Sequence, residues 1–122
     1  MDVFRQEAGA VTVIEPRGRI DSTAAKEFGE YLSKVLGGGC YKLVIDLHSV
    51  TYICSTGFRQ LLIVKNSTQN KDGRVALCRA NVDVKHLFDI GGFGELLPIY
   101  ETREAGIASV AGSNGPQEDR GS

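Results

Sequence analysis

Cys54, Ser55, Thr56 and Gly57 stand in a row, and directly after them Phe58, Leu61, Leu62 and Lys65 carry helical spacing. Two hydroxyls at the start of a helix admit two kinds of chemistry. Either oxygen can cap the helix by accepting a bond from a free first-turn amide. Alternatively, a phosphate esterified there would be held by those same amides and by the positive end of the helix dipole. A catalytic serine is a poorer reading, because no G-x-S-x-G turn surrounds Ser55 and nothing in the spacing ties His48 or His86 to it. Asp46 stands at the end of a strand-like apolar run, Lys42 to Leu47, where a carboxylate could accept a phosphoryl group. That chemistry needs an acidic pair at an earlier strand end and a lysine on a later strand. Val11 to Glu15 and Leu96 to Glu101 supply neither, so Asp46 reads as structural.

Cofactor chemistry finds no better footing. Cys40, Cys54 and Cys78 form no C-x-x-C pair, and two histidines give no clustered ligand set, so no metal is expected. Gly37-Gly38-Gly39 and Gly91-Gly92-Phe93-Gly94 each follow a helical pattern and precede a strand, the reverse of a phosphate-binding loop, and read as helix stops. The expectation is a protein that is not an enzyme and takes no cofactor. Lys and Arg number 14 against 15 Asp and Glu, for a net charge of -1, which offers no footprint for nucleic acid or an anionic membrane. No apolar run approaches the roughly 20 residues that cross a bilayer, and the first residues lack a signal peptide's basic and apolar regions. A soluble, cytoplasmic protein, a monomer when free, is therefore expected.

The elements that must position these residues follow from periodicity. Val3 to Glu7 and Val11 to Glu15 lean to strand on either side of Ala8-Gly9-Ala10, an antiparallel pair. Ala25, Phe28, Leu32 and Val35 form one helical stripe, capped by Asp21 or Ser22 and ended at Gly37. Lys42 to Leu47 and Arg74 to Ala80 are nearly continuous apolar runs, the pattern of strands covered on both faces. Asn81 caps a short helix carrying Val84, Leu87 and Phe88; Leu96 to Glu101 is a last strand, and Thr102 caps a final helix through Val110. Gly18 to Asp21 and Val50 to Gly57 read as loops at the carboxyl edge of the sheet, where open α/β sheets gather their functional residues. The fold class is α/β: a mixed sheet, mostly parallel with an antiparallel edge hairpin, packed with about four helices. Residues 1–111 make the domain, and residues 112–122, with nothing apolar to bury, a disordered tail.

The run Leu43 to Leu62, with Asp46-Leu47-His48-Ser49-Val50 and Ile53-Cys54-Ser55-Thr56-Gly57-Phe58, resembles the STAS signature V-x-D-L-S-x-V-x-x-I-D-S-S/T-G-L, in particular that of bacterial anti-sigma factor antagonists. The likeness extends from about Val3 to Val110 and takes in Gly18 to Asp21 and Ile90-Gly91-Gly92-Phe93. It implies a binding module switched by phosphorylation at Ser55. The partner it implies is both an anti-sigma factor and a serine protein kinase, and a serine/threonine phosphatase resets the switch. The unphosphorylated form binds the kinase, and the phosphorylated form is released. On this resemblance the partner-binding residues are Asp21, the acidic turn residue beside the phosphosite, with Cys54, Ser55, Thr56 and Gly57, which lets the partner approach the helix start; Arg59, one turn along the helix, joins them as a residue placed to pair with the phosphate. Cys54 stands where the family usually carries Asp, so one negative charge is missing beside the switch. The competing reading is a STAS module that is never phosphorylated, a scaffold or the soluble component of a membrane transport system.

Overall fold

The computed structural model describes residues 1–112. Strands β1 (Val3–Ala8) and β2 (Val11–Pro16) form an antiparallel hairpin, and β2 continues through a turn into β3 (Gly18–Ile20). Helix α1 (Ser22–Gly37) leads to β4 (Lys42–Asp46), β5 (Val50–Ile53) and α2 (Ser55–Gln69). The chain ends with β6 (Arg74–Cys78), α3 (Val82–Ile90), β7 (Ile99–Tyr100) and α4 (Arg103–Ala111). Five strands make one sheet in the order β1-β2-β4-β6-β7, parallel except for the β1–β2 hairpin. This is the mixed, mostly parallel sheet with an antiparallel edge and four helices that the alternation of strand and helix predicts.

The two faces of the sheet are covered unequally. Leu43, Ile45, Val75 and Leu77 turn to a large core shared with Phe28 and Leu32 of α1, Phe58 and Leu61 of α2, and Phe88 of α3. The alternate residues Val11, Val13, Val44, Ala76 and Cys78 turn the other way, against Val110 of α4. Successive strand residues face opposite sides, so cover on both sides is what makes β4 and β6 read as unbroken apolar runs.

Local chemistry sets the helix ends. Asp21 accepts from the Ala24 amide at 3.0 Å, Asn81 from Val84 at 2.8 Å and Thr102 from Ala105 at 3.0 Å, so each caps its helix. The last strand is shorter than expected: only Ile99 and Tyr100 pair with β6, because Leu97 leaves the edge to enter the core and Pro98 offers no amide.

Two segments expected as loops are strands. Gly18–Ile20 and Val50–Ile53 pair in parallel as a separate two-stranded sheet, with Ile20 opposite Ile53. Each is too short to show a strand pattern, and their pairing joins residues more than thirty positions apart. The stretch expected as a tail begins at Gly112, which caps the end of α4; the rest of it lies outside the described residues.

Candidate functional site

The β3–β5 pair is what places the candidate residues. Because the strands are parallel and in register at Ile20 and Ile53, each feeds directly into a helix from the same end of the small sheet. Asp21 and Cys54 are therefore the cap residues of α1 and α2, emerging side by side, and Ser22 and Ser55 are the first residues of the two helices. The Cys54 amide donates to the Ile20 carbonyl at 2.9 Å, which ties the start of α2 to β3. Two helix N-termini thus open toward one patch of surface, both presenting positive dipole ends.

The capping roles differ from those the sequence predicts. Neither Ser55 nor Thr56 is the cap of α2; Cys54 holds that position in extended conformation, and its side chain makes no capping hydrogen bond. The first-turn amides of α2 therefore lack both intrahelical and side-chain acceptors. Ser55, Thr56 and Arg59 are exposed, as is Asp21, and Cys54 is half-buried. Thr56 also lines a shallow groove of about 480 Å³ between α1 and α2, with Ser22, Lys26 and Gln60.

Gly57 faces inward. A Cβ there would stand 2.6 Å from Ile53 Cγ1 and 3.1 Å from Ile20 Cγ2, so glycine at this position lets α2 pack closely on β3 and β5. Its bare Cα serves contact inside the chain, where the sequence reading has it clear the way for a partner. One residue on, Phe58 packs edge-on to Phe88 (4.6 Å) and stacks on Phe93 (4.9 Å). The glycines before Phe93 turn the chain so that this ring lands on the start of α2, with Gly92 at φ +77.

Asp46 is fully buried at the end of β4 and has no free valence for chemistry. Arg79 donates to it through Nη2 at 2.7 Å and Nε at 3.1 Å, Arg103 through Nη2 at 2.7 Å and Nε at 2.9 Å, and the His48 amide at 3.0 Å. Burial by itself would raise the carboxyl, but the bonds from Arg79, Arg103 and His48 together outweigh it and hold Asp46 below the ordinary carboxylate range. Arg103 reaches on to Gln6 of β1 and Glu15 of β2, so this network fastens α4 across three strands, β1, β2 and β4. Arg79 adopts φ +59, a conformation costly for a residue with a Cβ, which its forked contact with Asp46 sustains. Sequence reasoning missed both arginines, which lie 33 and 57 residues from Asp46.

Among the described residues, no three His, Cys, Asp or Glu side chains converge as metal ligands, and no helix is long and apolar enough to cross a membrane. Burial pushes the Cys78 thiol up to about 12, so that sulfur is inert packing.

A mixed five-stranded sheet with helices on both faces, and a two-stranded sheet that brings the starts of α1 and α2 together, define an α/β domain. Residues 4–106 match the STAS domain family, and the chain belongs to that family. Among its relatives, a Bordetella bronchiseptica protein bearing the name anti-sigma factor antagonist BtrV is 30% identical over 93 residues, 76% of this chain and 80% of that one. The fold is similar to that of an anti-sigma factor antagonist from Thermotoga maritima (TM-score 0.83, 19% identity, 89% of this chain and 94% of that one). It is also similar to SpoIIAA in its unphosphorylated form (TM-score 0.77, 19% identity, 91% and 97%). The phosphorylated form of the Bacillus protein gives 0.67, with 17% identity and coverage of 88% and 98%.

Proposed function

We propose that this chain is an anti-sigma factor antagonist, a cytoplasmic binding module that captures an anti-sigma factor when Ser55 is unmodified and releases it when Ser55 is phosphorylated. The observation that carries this reading is Ser55 itself: an exposed hydroxyl on the first residue of α2, above first-turn amides that no side chain caps. The relatives named as antagonists, one of them known in both phosphorylation states, support it.

The anti-sigma factor is also the kinase. It transfers the γ-phosphoryl group of ATP to Ser55 Oγ: the new O–P bond forms as the anhydride bond breaks, ADP leaves, and the serine proton passes to a base on the kinase. A serine/threonine phosphatase reverses the modification by hydrolysis. At concentrations where one partner is engaged, the antagonist acts as a monomer. Asp21, Cys54, Ser55, Thr56 and Arg59 make the contact surface, and Gly57 sets its shape by seating α2 on the small sheet.

The physical basis of the switch is asymmetric cost. A phosphate adds about -1.5 to -2 charges at the positive end of a helix, which the domain tolerates without rearrangement. A partner lying closely over Ser55 must desolvate that dianion, which costs several kcal/mol unless cations meet it.

The test is binding by the cognate kinase. Ser55→Ala binds the kinase and is not released by ATP, whereas Ser55→Asp binds at least about tenfold more weakly than wild type, or 1.4 kcal/mol. Thr56→Ala is the control for the acceptor: it is still phosphorylated on Ser55 and still released by ATP. Phosphate found on Thr56 by mass spectrometry, or full-strength binding by Ser55→Asp together with no phosphorylation at all, sinks the switch and leaves a scaffold module in its place.

A further inference from the structure

Strand β1 is the outer edge of the five-stranded sheet, and Phe4, Arg5, Gln6 and Glu7 along it are exposed. Its hairpin is closed by a two-residue turn, Gly9-Ala10, with Gly9 at φ +63, so Ala8 and Val11 form the hydrogen-bonded closing pair. Bonds to β2 then recur at every second residue, at Gln6 and Phe4, and the Arg17 amide continues the series by donating to the Asp2 carbonyl at 3.0 Å. The amides and carbonyls of Val3, Arg5 and Glu7 consequently point away from β2, out of the sheet. No other strand of the described residues pairs with them, and neither a proline nor a bulge interrupts the edge.

Charges on an edge strand commonly keep other strands away. Here they do so only for some alignments. Arg5 and Glu7 lie two residues apart, on one face of the strand, and already meet each other at 2.7 Å. If a second β1 comes alongside antiparallel, hydrogen-bonded pairs must join outward-pointing residues, which restricts the register to a few choices. Centring on Arg5 sets Arg5 against Arg5, and centring on Glu7 sets Glu7 against Glu7; both are repulsive. Centring on Gln6 places Arg5 of each copy opposite Glu7 of the other, twice over, and brings each half-exposed Phe4 beside Ala8 of the other copy.

We propose that β1 is a self-complementary docking edge for a second copy of this chain, paired antiparallel about Gln6 so that two Arg5–Glu7 contacts close a continuous ten-stranded sheet. Two six-residue strands meeting along one edge cover less than the ~1,200 Å² of a standard interface, so the dimer forms only when the protein is concentrated. The symmetry is a closed two-fold, which ends at two copies and does not propagate into fibres. The edge includes none of Ser55, Thr56 or Arg59, so docking leaves the proposed switch surface open.

Sedimentation equilibrium of the full chain from about 10 µM to 1 mM tests this, without any other partner. Wild type shifts from monomer to dimer across that range, and the dimer weakens as salt rises. Arg5→Glu and Glu7→Arg, each checked for an unchanged melting curve, weaken self-association at least tenfold, because either change sets like charges opposite each other. An equimolar mixture of the two variants then forms a heterodimer at least as readily as wild type dimerises, since one copy carries two acids and the other two arginines. If either reversal disturbs folding, Arg5→Gln and Glu7→Gln replace it and weaken the dimer less. A wild type that stays monomeric at 1 mM overturns the proposal. So does a dimer indifferent to the reversals, or variants that fail to complement when mixed.

Discussion

Cys54 shows how much one side chain at a helix end can change. It occupies the cap position of α2 yet bonds to none of the first-turn amides, whereas Asp is among the strongest caps. Cys54→Asp is therefore expected to stabilise the protein by about 1 kcal/mol, raising the melting temperature by about 4 °C, and, under the proposed switch, to change the rate of phosphorylation at Ser55. An unchanged melting temperature would show that the new carboxylate does not reach the amides. Ser55→Ala loses no cap and should stay within about 0.5 kcal/mol of wild type.

Asp46 is the opposite case, a buried charge whose partners are all provided. Removing the carboxylate leaves two guanidiniums without it, and Asp46→Asn is expected to cost about 3 kcal/mol, the low end for a broken buried pair, since both arginines keep some exposure. Because its folded-state pKa is depressed, Asp46 stabilises the fold at neutral pH. That contribution is present above the ordinary carboxylate range and is lost as pH falls through the lower, folded value. Urea midpoints at pH 7 and at about pH 3 should show the gap between wild type and Asp46→Asn narrowing in acid. A gap that stays constant would mean the carboxylate's charge is not what the site uses.

At the scale of elements, the site depends on how closely α2 rests on β3 and β5. Gly57→Ala forces a methyl to within 2.6 Å of Ile53, and the resulting overpacking is expected to cost roughly 1–3 kcal/mol by chemical denaturation. The lifted helix start should also weaken kinase binding beyond what the exposed Thr56→Ala does. Wild-type stability and binding in Gly57→Ala would show that the interface between α2 and the small sheet yields easily. Where α1 passes α2, the Gln60 side-chain amide lies over Gly29, and a methyl there would displace only the end of that flexible side chain.

Over the whole molecule the sheet has a thick side and a thin one. Three helices share the larger core, whereas the nine-residue α4 alone covers Val11, Val13, Val44 and Ala76. Its attachment relies on Val110, on Ile107 and on the Arg103 clamp to Asp46. Local opening follows the least-buried unit, so amides of residues 107–110 should exchange with solvent at least about tenfold faster than those of Val44 and Ile45. Equal protection of the two sets would show that α4 leaves the sheet only when the entire domain unfolds.

Much of this was written locally. The stripe at Ala25, Phe28, Leu32 and Val35, the caps Asp21, Asn81 and Thr102, and the apolar runs at Lys42 and Arg74 all act over one or two turns, so spacing and turn chemistry alone define them. Ser55 at a helix start was legible for the same reason, as was a mostly parallel sheet. The pairing of β3 with β5, the inward face of Gly57 and the arginines on Asp46 were decided only in three dimensions. Each joins segments distant in sequence, whose meeting depends on how the sheet brings their strand ends together. Even the cap of α2 belongs here: Ile20 of the neighbouring strand holds the Cys54 amide, and that contact settles which residue precedes the helix.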